Sequence, residues 1–185
     1  VTTLTADLNV PFDSGDCSIY AEPMDDNFCV GKNCWYFAVD DWTSGDEFMF
    51  MLLVDSAKEN ISGTYPISND MSKECALMGY PCAYTYTLMG AWYIHLNEEF
   101  YEDGFAALVS GSVTIDIQGD VASASVTAVD DLGHKLTGSC KNVEYIDANS
   151  GGWSLSKFST GAKMAKHAKK QLAPRKVKAS SLIKK

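Results

Sequence analysis

Along residues 111–117 the chain alternates with a period of two, setting Val113, Ile115 and Ile117 against Ser112, Thr114 and Asp116. That spacing places the branched apolar side chains on one face of a β-strand. Gln118-Gly-Asp120 turns the chain, and Val121 to Val129 then alternates small polar with apolar residues. Asp130-Asp-Leu-Gly133 turns it again, and His134 to Tyr145 supplies a third strand. Three such runs with short connections predict an antiparallel meander. Upstream, Cys34 to Val39 is rich in aromatics, and Glu47 to Val54 is almost continuously apolar, as in a strand buried on both faces or in mid-sandwich. The turn-forming Asp40 to Asp46 between them makes this pair a hairpin with a longer loop. Ile61 to Ile67 reads as a short strand with Pro66 marking an edge or an exit. Ala83 to Leu88 and Ala91 to Leu96 flank Met89-Gly90, a spacing that predicts a tight hairpin whose glycine takes positive φ. Nine or ten short strands with almost no helical periodicity before residue 155 predict an all-β fold. Either an antiparallel β-sandwich or a calycin-like β-barrel satisfies the pattern.

Asn149-Ser-Gly-Gly152 ends the alternation, and the composition changes with it. The sequence divides into an acidic antiparallel β-domain over 1–153 and a basic C-terminal tail over 154–185. The formal charge of −9 hides this division, because all 24 Asp and Glu lie between Asp7 and Asp147 while 10 of the 15 Lys and Arg lie between Lys157 and Lys185. Residues 1–156 carry 5 basic against 24 acidic side chains, a net −19, and residues 157–185 carry +10. In the tail, Ala162, Ala165, Ala168 and Leu172 fall at helical spacing before Pro174, which predicts a helix over 161–173. The like-charged Lys163, Lys166 and Lys170 weaken that helix in isolation. The tail is therefore expected to contact its own acidic domain or a neighbour's, to stay a solvated extension, or to bind an external partner such as a phosphate-bearing surface or lipid head groups. A nucleic-acid role is not expected, since the −19 body would repel the same polyanion.

An apolar fraction of 46% supports a real core. The longest apolar run, Phe48 to Val54, is strand-sized, and nothing approaches the ~18–20 residues of a membrane-spanning helix. Six cysteines, Cys17, Cys29, Cys34, Cys75, Cys82 and Cys140, are all in the body and suit an oxidising compartment. Local loops favour Cys29 with Cys34 and Cys75 with Cys82, leaving Cys17 and Cys140 as a long-range disulfide. Buried free thiols are the alternative. A zinc site is disfavoured, because the close pairs are separated by four and six residues and none of His95, His134 and His167 lies near them. The chain begins at Val1 with neither a charged nor an apolar leader segment, so an export signal is expected to have been removed.

No nucleophile elbow, zinc-protease helix, dinucleotide fingerprint or phosphate loop is present, so no catalytic residue, metal or cofactor is assigned. Glu98, Glu99, Glu102 and Asp103 could supply a glycosidase pair but read as a solvated face. His95 reads as a surface strand residue. The oxygen-rich stretches Asp25-Asp-Asn27, Asp40-Asp41 and Asp130-Asp131 suit a hard cation in chemistry, and equally suit ordinary turns. The residues best suited to a ligand are aromatic: Trp42 in a predicted loop, Trp92, and Tyr84 with Tyr86 on one strand face, where flat rings could stack on a glycan.

Three segments, Gly63-Thr-Tyr-Pro-Ile67, Gly111-Ser-Val-Thr-Ile115 and Asp130-Asp-Leu-Gly-His-Lys-Leu-Thr-Gly-Ser139, together resemble a group of small β-proteins from Bacteroides-type gut bacteria. These are secreted or lipid-anchored surface proteins, some of them calycin-like. The resemblance spans roughly residues 30–145 and departs from the group at Cys140, where an aromatic is usual, and in the basic tail. It implies an exported protein of the periplasm, cell surface or exterior, and it carries over no catalytic residues. The expected role is a non-enzymatic structural or interaction module whose partner is a glycan or an envelope protein. A glycan- or small-ligand-binding protein is the alternative.

Overall fold

The computed structural model describes residues 2–24, 31–82, 87–99 and 101–148, with side chains of 81, 82 and 87 left aside. Among these described residues twelve strands are formed, in chain order: β1 (Leu8–Val10), β2 (Cys17–Met24), β3 (Lys32–Asp41), β4 (Asp46–Asp55), β5 (Gly63–Pro66), β6 (Cys75–Ala76), β7 (Tyr80–Cys82), β8 (Thr87–Met89), β9 (Trp92–Leu96), β10 (Glu102–Gln118), β11 (Val121–Asp130) and β12 (Lys135–Asp147). The described residues contain no helix. The main sheet runs β12-β11-β10-β9-β4-β3-β2, and β2 pairs back onto β12, which closes a seven-stranded barrel. Of the two architectures compatible with the sequence pattern, the barrel is the one adopted. Strands β1, β5 and β6 add to it at β12, β10 and β4, while β7 and β8 form a separate two-stranded sheet.

The β3–β4 hairpin and the β10–β11–β12 meander form as the alternation predicts, with Asp40 opposite Glu47 and Val113 opposite Val126. The tight hairpin expected across Met89-Gly90 does not form. Gly90 does take positive φ, at 81°, and turns the chain, but β8 pairs with β7, whereas β9 pairs with β4 and β10. The alternation continues across that turn without revealing that its two arms belong to different sheets. Strand β10 is longer than its apolar core suggests. Its first part pairs with β9, and after an irregularity between Leu108 and Ser110 the rest pairs with β11 and β5. Just past it lies Gly111 (φ 109°), where a Cβ would fall 2.1 Å from the Thr127 carbonyl oxygen, so only glycine lets the two strands approach this closely.

Inside the barrel, large and small residues complement one another. Phe37, Phe48, Phe50 and Tyr93 project from β3, β4 and β9, while Ala122, Ala124, Ala128 and Gly138 occupy β11 and β12. The Phe48 ring reaches across the lumen. A Cβ built on Gly138 would lie 2.7 Å from Phe48 Cε2 and 2.9 Å from Phe12 Cε2. Phe48 is fully buried, with ring centroids 5.8 Å from Phe12, 6.4 Å from Phe50 and 5.6 Å from Tyr93. The barrel centre at this level is packed with side chains. Two smaller apolar clusters lie outside the barrel wall, one around Trp92, Ile94 and Phe105 and one around Met51, Leu53 and Leu77.

Candidate functional site

At one end of the barrel, the turn between β3 and β4 meets the β9–β10 hairpin. Alternation along β9 directs Tyr93 into the core and brings His95 to the barrel rim, opposite Asp46 on β4. Tyr93 Oη donates to Asp46 Oδ1 at 2.6 Å, and Ser44 Oγ donates to Asp46 Oδ2 at 2.7 Å. His95 Nδ1 lies 2.5 Å from Asp103 Oδ1, and Nε2 lies 3.1 Å from the Ser44 carbonyl oxygen. Both ring nitrogens thus face acceptors, which the imidazolium satisfies and neither neutral tautomer does. Burial opposes that charge, but the bond to Asp103, the charges of Asp103 and Asp46 and the Ser44 carbonyl outweigh it, so the His95 pKa is raised. The Tyr93 hydroxyl is pushed well above its usual range by burial and by its bond to Asp46.

An aspartate–histidine pair beside a serine invites comparison with a nucleophilic triad, but the roles do not fit. Nε2 is occupied by a backbone carbonyl, and the Ser44 hydroxyl is directed to Asp46, so His95 has no hydroxyl to activate. The group clasps two hairpins together, and His95 is a bridging residue of the rim. Glu98 and Glu99 lie exposed on the adjoining turn.

One member of each described acidic pair, Asp41 and Asp130, holds the turn that follows it. Asp41 Oδ1 accepts from Ser14 Oγ at 2.7 Å, Thr43 N at 2.9 Å and Ser44 N at 3.1 Å. Burial works against its charge, yet these bonds hold its pKa below the usual value. The buried Asp130 accepts from His134 N and Nδ1, both at 2.8 Å, and from Leu132 N at 2.9 Å, while Asp131 accepts from Thr2 Oγ1. Among the described residues no group of three His, Cys, Asp or Glu is arranged to hold a metal ion, and Asp25 to Asn27 lie outside them.

The structure also places the aromatic candidates. Trp42 is buried, with Nε1 donating to Ser18 Oγ at 3.1 Å, and Trp92 is fully buried, with Nε1 donating to the Met89 carbonyl at 2.7 Å. Both indoles are thus packed into the protein, with their ring nitrogens bonded inside it. Tyr84 and Tyr86 lie outside the described residues. The expected Cys17–Cys140 disulfide is not formed: both are buried, free thiols. Burial and then the Asp41 charge push the Cys17 thiol up to about 12, and burial pushes Cys140 up to about 11, so neither is a ready nucleophile. Cys34 and Cys75 are buried on the outer wall, each beside Leu53 on β4, with Cys34 Sγ 3.8 Å from Met24 Sδ and Cys75 Sγ 3.8 Å from the Asp70 carbonyl. Their expected partners, Cys29 and the Cys82 side chain, lie outside the description.

One surface was not anticipated. Ser18, Asp40, Glu47 and Ile94 stand side by side across β2, β3, β4 and β9. Their neighbours Ile19, Val39 and Phe48 belong to the barrel core, so by alternation this row points outward. Even so, Asp40 is only 3% and Glu47 only 1% exposed. Tyr36 Oη donates to Glu47 Oε1 at 3.1 Å, Tyr20 Oη donates to Glu22 Oε2 at 2.8 Å, and the Tyr20 and Tyr36 rings meet edge-on at 5.9 Å. In the sequence Asp40 looks like a turn residue, and nothing in the period-two pattern distinguishes a buried carboxylate from a solvated one. No helix among the described residues is long and apolar enough to cross a membrane. The chain matches no family model, and comparison with curated proteins and with solved structures finds no match.

Proposed function

We propose that this chain is a non-enzymatic, exported module of the cell envelope or surface that acts through its outer surface in a structural or interaction role. In this reading it stands with the small secreted or lipid-anchored β-proteins of the Bacteroides-type group that its three motifs resemble. The observation that carries the proposal is the Phe48 ring spanning the lumen to Gly138, because a barrel filled by its own side chains at mid-height leaves ligand recognition to the exterior. The rim supports it too, since its best-placed titratable residue, His95, is committed to holding hairpins together.

The test is a thermal-shift screen of the full chain against soluble glycans and small apolar molecules. A site occupied at 100 times its dissociation constant adds about 2.7 kcal/mol of stability, well above detection. The expected result is no shift from small ligands. A reproducible shift would move the protein to the alternative class of glycan- or small-ligand-binding proteins.

A further inference from the structure

We propose that the edge of β10 at Phe105 and Ala107, on the side away from β9, accepts an extended, hydroxyl-bearing peptide of a partner protein. Residues 2–4 of this chain are the built-in competitor that keeps the edge closed.

The edge exists because β11 stops short. Strands β10 and β11 are in register from Gln118 opposite Val121 to Leu108 opposite Asp130, where β11 ends, whereas β9 accompanies β10 on to Glu102. Backbone groups on the uncovered side of β10 must still find partners. The Ala107 carbonyl is met by Asp131 N at 3.0 Å, just past the end of β11.

Residues 2–4 serve the rest of the edge, but not as a strand does. Thr3 N donates to the Phe105 carbonyl at 2.8 Å, backbone to backbone. The two edge amides are met by side chains instead: Phe105 N donates to Thr3 Oγ1 at 2.9 Å and Ala107 N to Thr2 Oγ1 at 3.0 Å. Threonine hydroxyls thus stand where a paired strand would present carbonyls. Each hydroxyl also donates, Thr3 Oγ1 to the Phe105 carbonyl at 3.4 Å and Thr2 Oγ1 to Asp131 Oδ1. A side chain that is donor and acceptor at once is therefore what this edge recognises. Leu4, next along, is half-buried and packs against the barrel core.

The competitor is lightly held. Thr3 and residues 5–7 are exposed, and residues 2–5 belong to no strand. The chain is tied down again at Asp7, whose Oδ1 accepts from Lys135 N at 2.9 Å. Opening residues 2–4 breaks none of the barrel's strand pairs, which places it at the low-energy end of local unfolding. A partner segment carrying the same hydroxyls then adds to the edge by strand addition.

Fluorescence anisotropy with a labelled peptide Thr-Thr-Leu-Thr-Ala-Asp, the sequence of residues 2–7 supplied in trans, tests the proposal on the full chain. Thr2→Val/Thr3→Val removes both hydroxyls from the competitor and keeps its shape. The peptide should bind this variant at least about tenfold more tightly than the parent, as for a site previously open a tenth of the time or less. A peptide beginning Val-Val-Leu should bind neither protein. Amide exchange locates the contact: Phe105 and Ala107 should exchange on the order of tenfold faster in the variant and regain protection with peptide, with the amides of β11 unchanged. Leu4→Ala, which loosens the competitor at its apolar end, should act in the same direction and decides the matter if the first variant does not fold. Equal peptide affinities for parent and variant, binding of the valine peptide, or unchanged protection of Phe105 and Ala107 would overturn the proposal. So would protection in the parent that rises with protein concentration, which would make residues 2–4 of a second copy the occupant.

Discussion

Replacing Gly138 by alanine places a methyl group in the middle of the barrel. Its Cβ would lie 2.7 Å from Phe48 Cε2, 2.9 Å from Phe12 Cε2 and 3.2 Å from the Val10 carbonyl oxygen. Carbon atoms rest about 3.5–4.0 Å apart, so both rings must retreat by close to an ångström. Phe48 has no open space to retreat into, since it is fully buried between Phe12, Phe50 and Tyr93. Overpacking of this kind costs about 1–3 kcal/mol, which for a chain of this length lowers Tm by roughly 2–12 °C. Phe48→Leu removes the ring edge that clashes, at a cost of its own on the order of 1–2 kcal/mol from the lost ring atoms. The double variant should then be more stable than the sum of the single losses by at least ~0.5 kcal/mol, because the leucine leaves room for the methyl. Urea unfolding of the four proteins, followed by near-ultraviolet circular dichroism, measures the cycle. A Gly138→Ala protein as stable as the parent, or strictly additive losses, would refute cross-lumen contact and reopen the barrel as a ligand cavity.

Further outcomes follow from other parts of the molecule. The pKa of His95 is raised in the folded state above its reference of about 6.5, so its clasp contributes fully below that pH and is lost as pH rises through the folded value. With the side chain 35% exposed the contribution stays within ~1 kcal/mol, and the stability difference between parent and His95→Gln should shrink as pH is raised from about 6. A difference that widens with pH contradicts the clasp. Tyr65→Phe removes a hydroxyl that donates to the Ile61 carbonyl at 2.9 Å and leaves that carbonyl without its donor, so unfolding should cost about 1–2 kcal/mol less. Equal urea midpoints for the two proteins would count against this bond. In native protein at pH 8, Cys17 and Cys140 should react with a thiol reagent only as fast as the barrel opens. Rapid labelling of either, located by mass spectrometry, would show that the burial picture is wrong.

Much of the fold was legible from alternation alone. Val113, Ile115 and Ile117 against Ser112, Thr114 and Asp116 give the strand, its inward face and its meander partners, because a one-residue error would turn every apolar side chain to water. Barrel or sandwich was not legible, since that depends on β12 returning to β2, a pairing between residues 18 and 144 that no local pattern encodes. Strands β1 and β2 carried too weak an alternation to be anticipated. The site was less legible still. His95 looked like a surface residue because its partners, Ser44 and Asp103, come from other strands and turns. Trp42 and Trp92 looked available because sequence reports that a ring exists, and only packing reports whether its face is covered. Cys17 and Cys140 looked like a pair by default once nearer partners had been assigned to the other four.

Strand β12 has an effect on the timing of assembly as well as on shape. It pairs with β11 along one edge, and along the other with β1 and then β2, both in parallel. Strands β1 and β2 therefore wait for β12. Until residues 135–147 have been made, the outer edge of β2 and the free edge of β11 present unpaired backbone to any passing strand. Contacts this distant in sequence form late, so closure rather than hairpin formation limits the folding rate, and an amino-terminal fragment lacking β12 is a sticky, half-open sheet.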